Sequence, residues 1–291
     1  MGYRKEFRVN PDSELKLSKL DPSYRGKHES EEDAKQEIEA SCQKLFHQQA
    51  LLSAEHKHSI LVVLQALDAG GKDGTIKHVF TALNPQGASV ASFKQPTSTE
   101  LAHDFLWRVH PHAPGKGEIV IVLVTRVHKL INKETWTRRY QRIRDFEALL
   151  AENGTIVLKF FLHISKEEQL ARFEQRLDDP HRNWKISESD YSERALWDDY
   201  IEAFDDTISA TSAKHAPWYV IPSNHKWFRN LAVSQIMVDT MEEFKLAFPP
   251  PSVDLADIRR KYHAAVKEEK ANRNKVDLDR RHRRFLRASS Q

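Results

Sequence analysis

Residues 60–75 read Ile-Leu-Val-Val-Leu-Gln-Ala-Leu-Asp-Ala-Gly-Gly-Lys-Asp-Gly-Thr, a strand-length apolar run that empties into a glycine pair, a lysine and a helix start. No other stretch constrains the fold so tightly. A short run rich in β-branched residues and leucine is a strand buried on both faces, and such strands belong to parallel sheets. Runs of the same kind recur at 88–93, 118–127, 155–163 and 218–221. Helical spacing separates them at 31–53, 75–83, 98–110, 133–152, from 165, at 191–213 and at 226–244. Strands that alternate with helices imply βαβ units: an α/β fold whose central parallel sheet is covered on both sides. Ser30, Thr97 or Ser98, and Ser165 stand where helix N-caps are expected, and Glu168 would complete a capping box with Ser165.

The glycine loop specifies chemistry as well as shape. Gly70, Gly71 and Gly74 let backbone N–H groups turn inward around phosphate oxygens, and the helix that opens after them at Thr75 adds the partial positive charge of its N-terminus. Lys72 would reach a phosphoryl group in transfer. The loop departs from the usual Walker A pattern, with Ala66 at the first glycine position and Asp73 in place of the hydroxyl residue after the lysine. Asp68 lies inside the loop, where phosphate would repel it, so it is read as a Mg²⁺-binding carboxylate or as a partner for Lys72. A second basic group, Arg172, Arg176, Arg182 and Lys185, lies on and beyond the helix that starts at Ser165, as in kinase lids; a solvated helix face has the same charge pattern.

Composition narrows the class further. One cysteine, Cys42, leaves no internal disulfide, and the apolar runs are too short to cross a bilayer. The N-terminal residues carry no apolar signal core, so a soluble, cytoplasmic protein without a membrane partner is expected. The net charge of +3 is uneven: residues 251–291 hold twelve Lys/Arg against six Asp/Glu, which leaves the preceding residues at −3. Three regions are expected: an arm over 1–30, a body over 31–248 with a lid near 165–190, and a basic helical tail over 249–291, set off by Pro249-Pro250-Pro251. The tail could attract a polyanion or remain a solvated helix, and no motif supports nucleic-acid binding. His103, His110 and His112 lack any metal-ligand spacing, and Asn153-Gly154 reads as a helix end.

Longer motifs make the sequence recognisable. Asp68-Ala-Gly-Gly-Lys-Asp-Gly-Thr-Ile-Lys-His78, Asn84-Pro-Gln-Gly87, Ser92-Phe-Lys-Gln-Pro-Thr97, Ala102-His-Asp-Phe-Leu-Trp-Arg-Val-His110 and Trp184-Lys185 resemble polyphosphate kinase 2. Glu193-Arg-Ala-Leu-Trp-Asp-Asp-Tyr200, Ala216-Pro-Trp-Tyr-Val-Ile-Pro222 and Lys226-Trp-Phe-Arg-Asn230 extend the likeness, in its class III form, over residues 5–245. The resemblance implies a thymidylate-kinase-like P-loop fold in three layers with a helical lid. It also implies Mg²⁺, with Mn²⁺ as the alternative, a homo-oligomer (dimer or tetramer), and phosphoryl transfer from polyphosphate to AMP or ADP. It assigns Lys72, Asp68, Arg176 and Asp198 to catalysis, with Asp68 and Asp198 on the metal. Gly70, Gly71, Asp73, Gly74, Thr75, Lys77, Lys94, Arg126, Lys185 and Arg229 would bind nucleotide or polyphosphate, and Trp184 would lie near a base.

The chain also departs from the family's pattern. Glu118-Ile-Val-Ile121 runs straight into Val122-Leu-Val-Thr-Arg-Val-His128, without the roughly eight residues that carry the Walker B carboxyl or amide and its arginine. A strand built from fused ends would strain the sheet edge or pull in the helix at Lys133. Three readings follow: an impaired member, a segment missing from the sequence as written, or a rearranged site that relies on Asp68, Asp198 and the remaining cations. A protein that binds polyphosphate or nucleotide without turnover, and an ATP-dependent nucleotide kinase, are the competing functions.

Overall fold

The computed structural model describes residues 2–93, 95–124 and 133–288. The chain divides into two compact units, Met1–Phe248 and Pro249–Gln291. In the first, β1 (Ser59–Gln65), β2 (Ala88–Phe93), β3 (Ile119–Val124), β4 (Thr155–His163) and β5 (Trp218–Pro222) form one sheet in the order β2-β3-β1-β4-β5. Every pairing is parallel, so each connection crosses a face of the sheet.

Side-chain alternation explains the three layers. Ile60, Val62 and Leu64 of β1 face a core shared with Leu45 and Leu52 of α2 (Glu31–Glu55) and with Leu231 and Ile236 of α9 (Lys226–Glu243). Leu61 and Val63 face the opposite side, where Leu150 of α5 (Lys133–Glu152) packs. On that side Phe161 meets Phe204 and Ile208 of α8 (Trp197–Thr211). A central strand apolar on both faces is what two covering helix layers require. β4 is buried along its whole length, and its one charged residue, Lys159, donates to Glu147 Oε2 at 2.6 Å and to the Thr211 carbonyl at 2.7 Å.

The first thirty residues contain α1 (Tyr3–Glu6) and a single turn at Leu17–Lys19. Residues 7–9 cap the free edge of β5: Val9 N–H donates to the Trp218 carbonyl and Val220 N–H to the Phe7 carbonyl. That covers a row of backbone groups that would otherwise invite another strand. The second unit is α10 (Leu255–Ala288). Among the described residues no helix is long and apolar enough to cross a membrane.

Several local expectations need correction. The helix foreseen over 98–110 is only α4 (Ser98–Leu101), because Asp104 accepts from Leu106 N–H and the His103 ring bonds the Thr99 carbonyl, which gives the backbone a turn instead. The helix foreseen over 191–213 is two, α7 (Glu188–Ala195) and α8, broken at Leu196. The helix after the glycine loop starts at Lys72 rather than Thr75, as α3 (Lys72–Val79). Ser165 caps α6 (Lys166–Asp178) through Glu168 N–H, but the Glu168 carboxylate turns to Arg172 Nε at 2.7 Å instead of closing a box. β3 passes through Ile121 and Val122 with unbroken register to both β1 and β2. The fused residues therefore form one regular strand, and residues 125–132 beyond it lie outside the described residues.

Candidate active site

The order β2-β3-β1-β4-β5 puts β1 at the centre, with neighbours on both sides reached by crossovers. The crevice beyond the carboxyl end of such a strand is where open α/β sheets bind ligands. There the chain leaves β1 at Gln65, turns through Ala66–Gly71 and enters α3 at Lys72. Ala69 and Gly71 both take positive φ, 56° and 104°. At Gly71 the glycine is required twice over, because an added Cβ would also collide with the Arg229 guanidinium.

Arg229 is the cation the loop is built around. It projects from the first turns of α9 and is 2% exposed. Its Nε and Nη2 donate to Asn230 Oδ1, and among the described residues no carboxylate lies within ion-pair distance. Burial, followed by repulsion from Arg172, pushes its pKa down to about 9. Burial and the nearby arginines Arg172, Arg182 and Arg229 likewise depress Lys226, one turn earlier, against an opposing pull from Glu168. Arg172 and Arg229 are buried cations that repel one another, which an anion would stabilise, and the cleft they line is open.

That space is a cleft of about 500 Å³ lined by eight Lys/Arg and three carboxylates. Its floor is the loop, with Asp68, Gly70, Gly71, Lys72, Asp73 and Gly74, and Lys77 follows on α3. Lys72 Nζ donates to the Ala66 carbonyl at 3.0 Å. Burial pushes its pKa down, Asp68 and Asp73 oppose this, and Arg176 adds to it. Asp68 is therefore no direct hydrogen-bond partner of Lys72. Its Oδ2 instead accepts from Arg176 Nη1 at 2.8 Å, and Asp73 Oδ2 accepts from Lys185 Nζ at 3.0 Å.

Arg172 has a role that the sequence pattern did not reveal. It is buried, donates to the carbonyls of Ala69, Ser223 and Asn224, and ties the loop to the turn between β5 and α9. Gln169, one turn earlier, adds a bond to the Asp68 carbonyl at 3.0 Å. Gln175, Lys226, Trp227 and Asn230 also line the cleft. The motif around Lys226 and Trp227 was visible in the sequence, but it does not say which side chains turn inward.

Of the expected site residues, Asp68, Gly70, Gly71, Lys72, Asp73, Gly74, Lys77, Arg176, Lys185 and Arg229 converge on this cleft. Thr75 does not line it: the residue is buried and its hydroxyl donates to the Gly71 carbonyl. Asp198 sits exposed in the first turn of α8 and is not on the cleft wall. Trp184 is 74% exposed and holds the His181 carbonyl through its indole N–H. Lys94 and Arg126 lie outside the described residues.

Comparison with known proteins agrees with this geometry. A family model described as Polyphosphate kinase 2 (PPK2) matches residues 28–249. An AMP/ADP-polyphosphate phosphotransferase of Meiothermus ruber is 48% identical over 85% of this chain and 96% of its own length. An ADP-polyphosphate phosphotransferase of Rhodopseudomonas palustris is 41% identical over 84% and 92%. The crystal structure of polyphosphate kinase 2 from Arthrobacter aurescens TC1 superposes with a TM-score of 0.86 at 36% identity, covering 91% of this chain and 97% of that one. The glycine loop, the cationic cleft above it and the continuous match place this chain in the polyphosphate kinase 2 family.

Proposed function

We infer that this protein transfers the terminal phosphoryl group of inorganic polyphosphate to AMP and ADP. The observation that carries the reading is the cleft itself: eight cations around a phosphate-binding loop, with Arg229 buried and without a carboxylate partner among the described residues. A polyphosphate chain carries about one negative charge per unit, so holding it takes several fixed cations rather than one. Close relatives are named for this transfer, with AMP/ADP or ADP as the nucleotide in their names.

The chain's own residues divide the work. Backbone N–H groups of Gly71–Gly74 and the start of α3 receive the phosphate undergoing transfer, and Lys72 balances its developing charge. Arg229 and Lys226 hold the donor chain. Arg176 and Lys185 act from the lid formed by α6, α7 and the turn between them, releasing Asp68 and Asp73 when phosphate oxygens arrive. No covalent intermediate is needed, because positioning and electrostatics supply the acceleration.

Magnesium fits this donor set in one way. Among the described residues no three His, Cys, Asp or Glu side chains form a cluster that could hold a metal. Mg²⁺ takes one or two carboxylates where phosphates and water supply the remaining ligands. Asp68, 46% exposed beside Lys72, is the residue positioned to share such an ion with the substrate, and Asp73 is the second carboxylate of the loop. When bound, the ion would neutralise charge between donor and acceptor oxygens. The location of Asp198 away from the cleft wall weighs against its sharing that ion in this arrangement. A homo-oligomer remains part of the proposal on family grounds.

The test is nucleotide formation by purified protein given Mg²⁺, polyphosphate and AMP or ADP, beside Lys72→Ala. Loss of the lysine should lower the rate by about 10³-fold. No transfer by the wild-type protein, with polyphosphate still bound, would replace this reading with a binding protein that lacks turnover.

A further inference from the structure

We propose that the C-terminal helix carries a second binding site for polyphosphate, distinct from the cleft, that tethers long donor chains to the enzyme. The proposal rests on the phosphotransferase reading above. In α10 a 3.6-residue turn brings Arg259, His263, Lys267, Lys270 and Arg273 onto one face within about 120°, along a rise of about 21 Å. All five are exposed. Asp257 and Glu268 project from the opposite side and Glu269 from the flank beside Arg273, so the stripe itself carries no acid between Arg259 and Arg273.

Asp257, across the helix from the stripe, is already engaged. It pairs with Arg260 at 3.2 Å and with Lys261 at 2.7 Å, both off the stripe. Among the described side chains, none of Arg259, Lys267, Lys270 and Arg273 has a carboxylate within ion-pair distance. A row of like charges at turn spacing complements a linear polyanion. A second copy of the helix would meet the row with the same sign. Single-stranded nucleic acid would be held through stacking platforms as well as charge, and Tyr262, on the flank of the stripe, is the one Phe, Tyr or Trp among the described side chains of α10. The donor that suits the stripe is therefore one this enzyme already uses. Holding one end of a long chain raises its concentration at the cleft without adding any contact there.

The experiment uses the full-length protein with Arg259→Gln, Lys267→Gln, Lys270→Gln and Arg273→Gln combined, substitutions that keep helix propensity. With saturating ADP, KM for long-chain polyphosphate should rise about tenfold at low salt and the difference should fade as salt increases. KM for tripolyphosphate and kcat should stay at the wild-type values, because a donor of three units covers too little of a stripe about 21 Å long to be held by it. An unchanged KM for the long chain overturns the proposal, as does an equal rise for tripolyphosphate. If the wild-type protein transfers no phosphate, the functional reading fails by itself. The tail is then read by direct binding of long-chain polyphosphate, which the substitutions should weaken about tenfold. Weakened binding of single-stranded RNA with polyphosphate affinity unaltered would reassign the stripe to nucleic acid and overturn it.

Discussion

Arg172 and Arg176 lie one turn apart on α6 and hold their charges in opposite ways. Arg172 is buried and spends its donors on three backbone carbonyls of the glycine loop and the β5–α9 turn, as well as on Glu168. Arg176 is 18% exposed and rests on Asp68, a carboxylate of the loop it faces, at 2.8 Å and more loosely on Asp190 of α7 at 3.7 Å, while Lys185 rests on Asp73. The base of α6 is thus part of the loop's framework, whereas the tip of the lid borrows the loop's own carboxylates. A cation bound to buried carbonyls is preset in the folded protein. A cation paired with an exposed carboxylate can be released to a phosphate at little expense, because exposed ion pairs are weak.

The largest effect that would sharpen this contrast is on stability. Arg172→Ala should destabilise the protein by about 3 kcal/mol, since one buried and two part-buried carbonyls and a charged partner lose their donor together. Denaturant unfolding measures it, and a loss below about 0.5 kcal/mol would mean the base of α6 is no framework. Arg176→Ala should leave that unfolding curve within about 0.5 kcal/mol while lowering kcat by about 10–100-fold, the range for removing one charge-stabilising group. A stability loss comparable to that of Arg172→Ala would erase the distinction.

A smaller effect appears in pH dependence. Burial already pulls the Lys72 ammonium below its ordinary value, and the negative charge of Asp68 holds its proton on. Asp68→Asn removes that support, so Lys72 loses its proton at lower pH and the alkaline limb of kcat/KM should move toward lower pH. Arg176→Ala should move the same limb the other way, because Arg176 lowers Lys72. Limbs that do not move in opposite directions would show that another group sets the profile.

Much of this fold was legible from residue order. The five apolar runs became five strands because burial on both faces leaves little choice of partner, and Gly-Gly-Lys after the first run located the phosphate loop. The failures lie where local bonds compete. Asp104 and Thr99 ended a helix whose spacing continued to His110, and Arg172 drew Glu168 away from the cap that its position suggested. The difference between Arg172 and Arg176 could not be read at all. Both stand on one helix among other cations, and only the path of the loop and of the β5–α9 turn decides which one meets carbonyls. The burial of Arg229 against Gly71 was hidden for the same reason: its contacts come from a helix about 150 residues further along the chain.

The most direct test of the contrast is amide hydrogen exchange with and without tripolyphosphate and Mg²⁺. In the free protein the amides of the glycine loop and of residues 166–173 should exchange slowly, and those of residues 179–195 fast, with ligand slowing mainly the latter. Equal protection of both segments in the free protein, or a ligand effect confined to the glycine loop, would contradict the division between a preset base and a recruited lid.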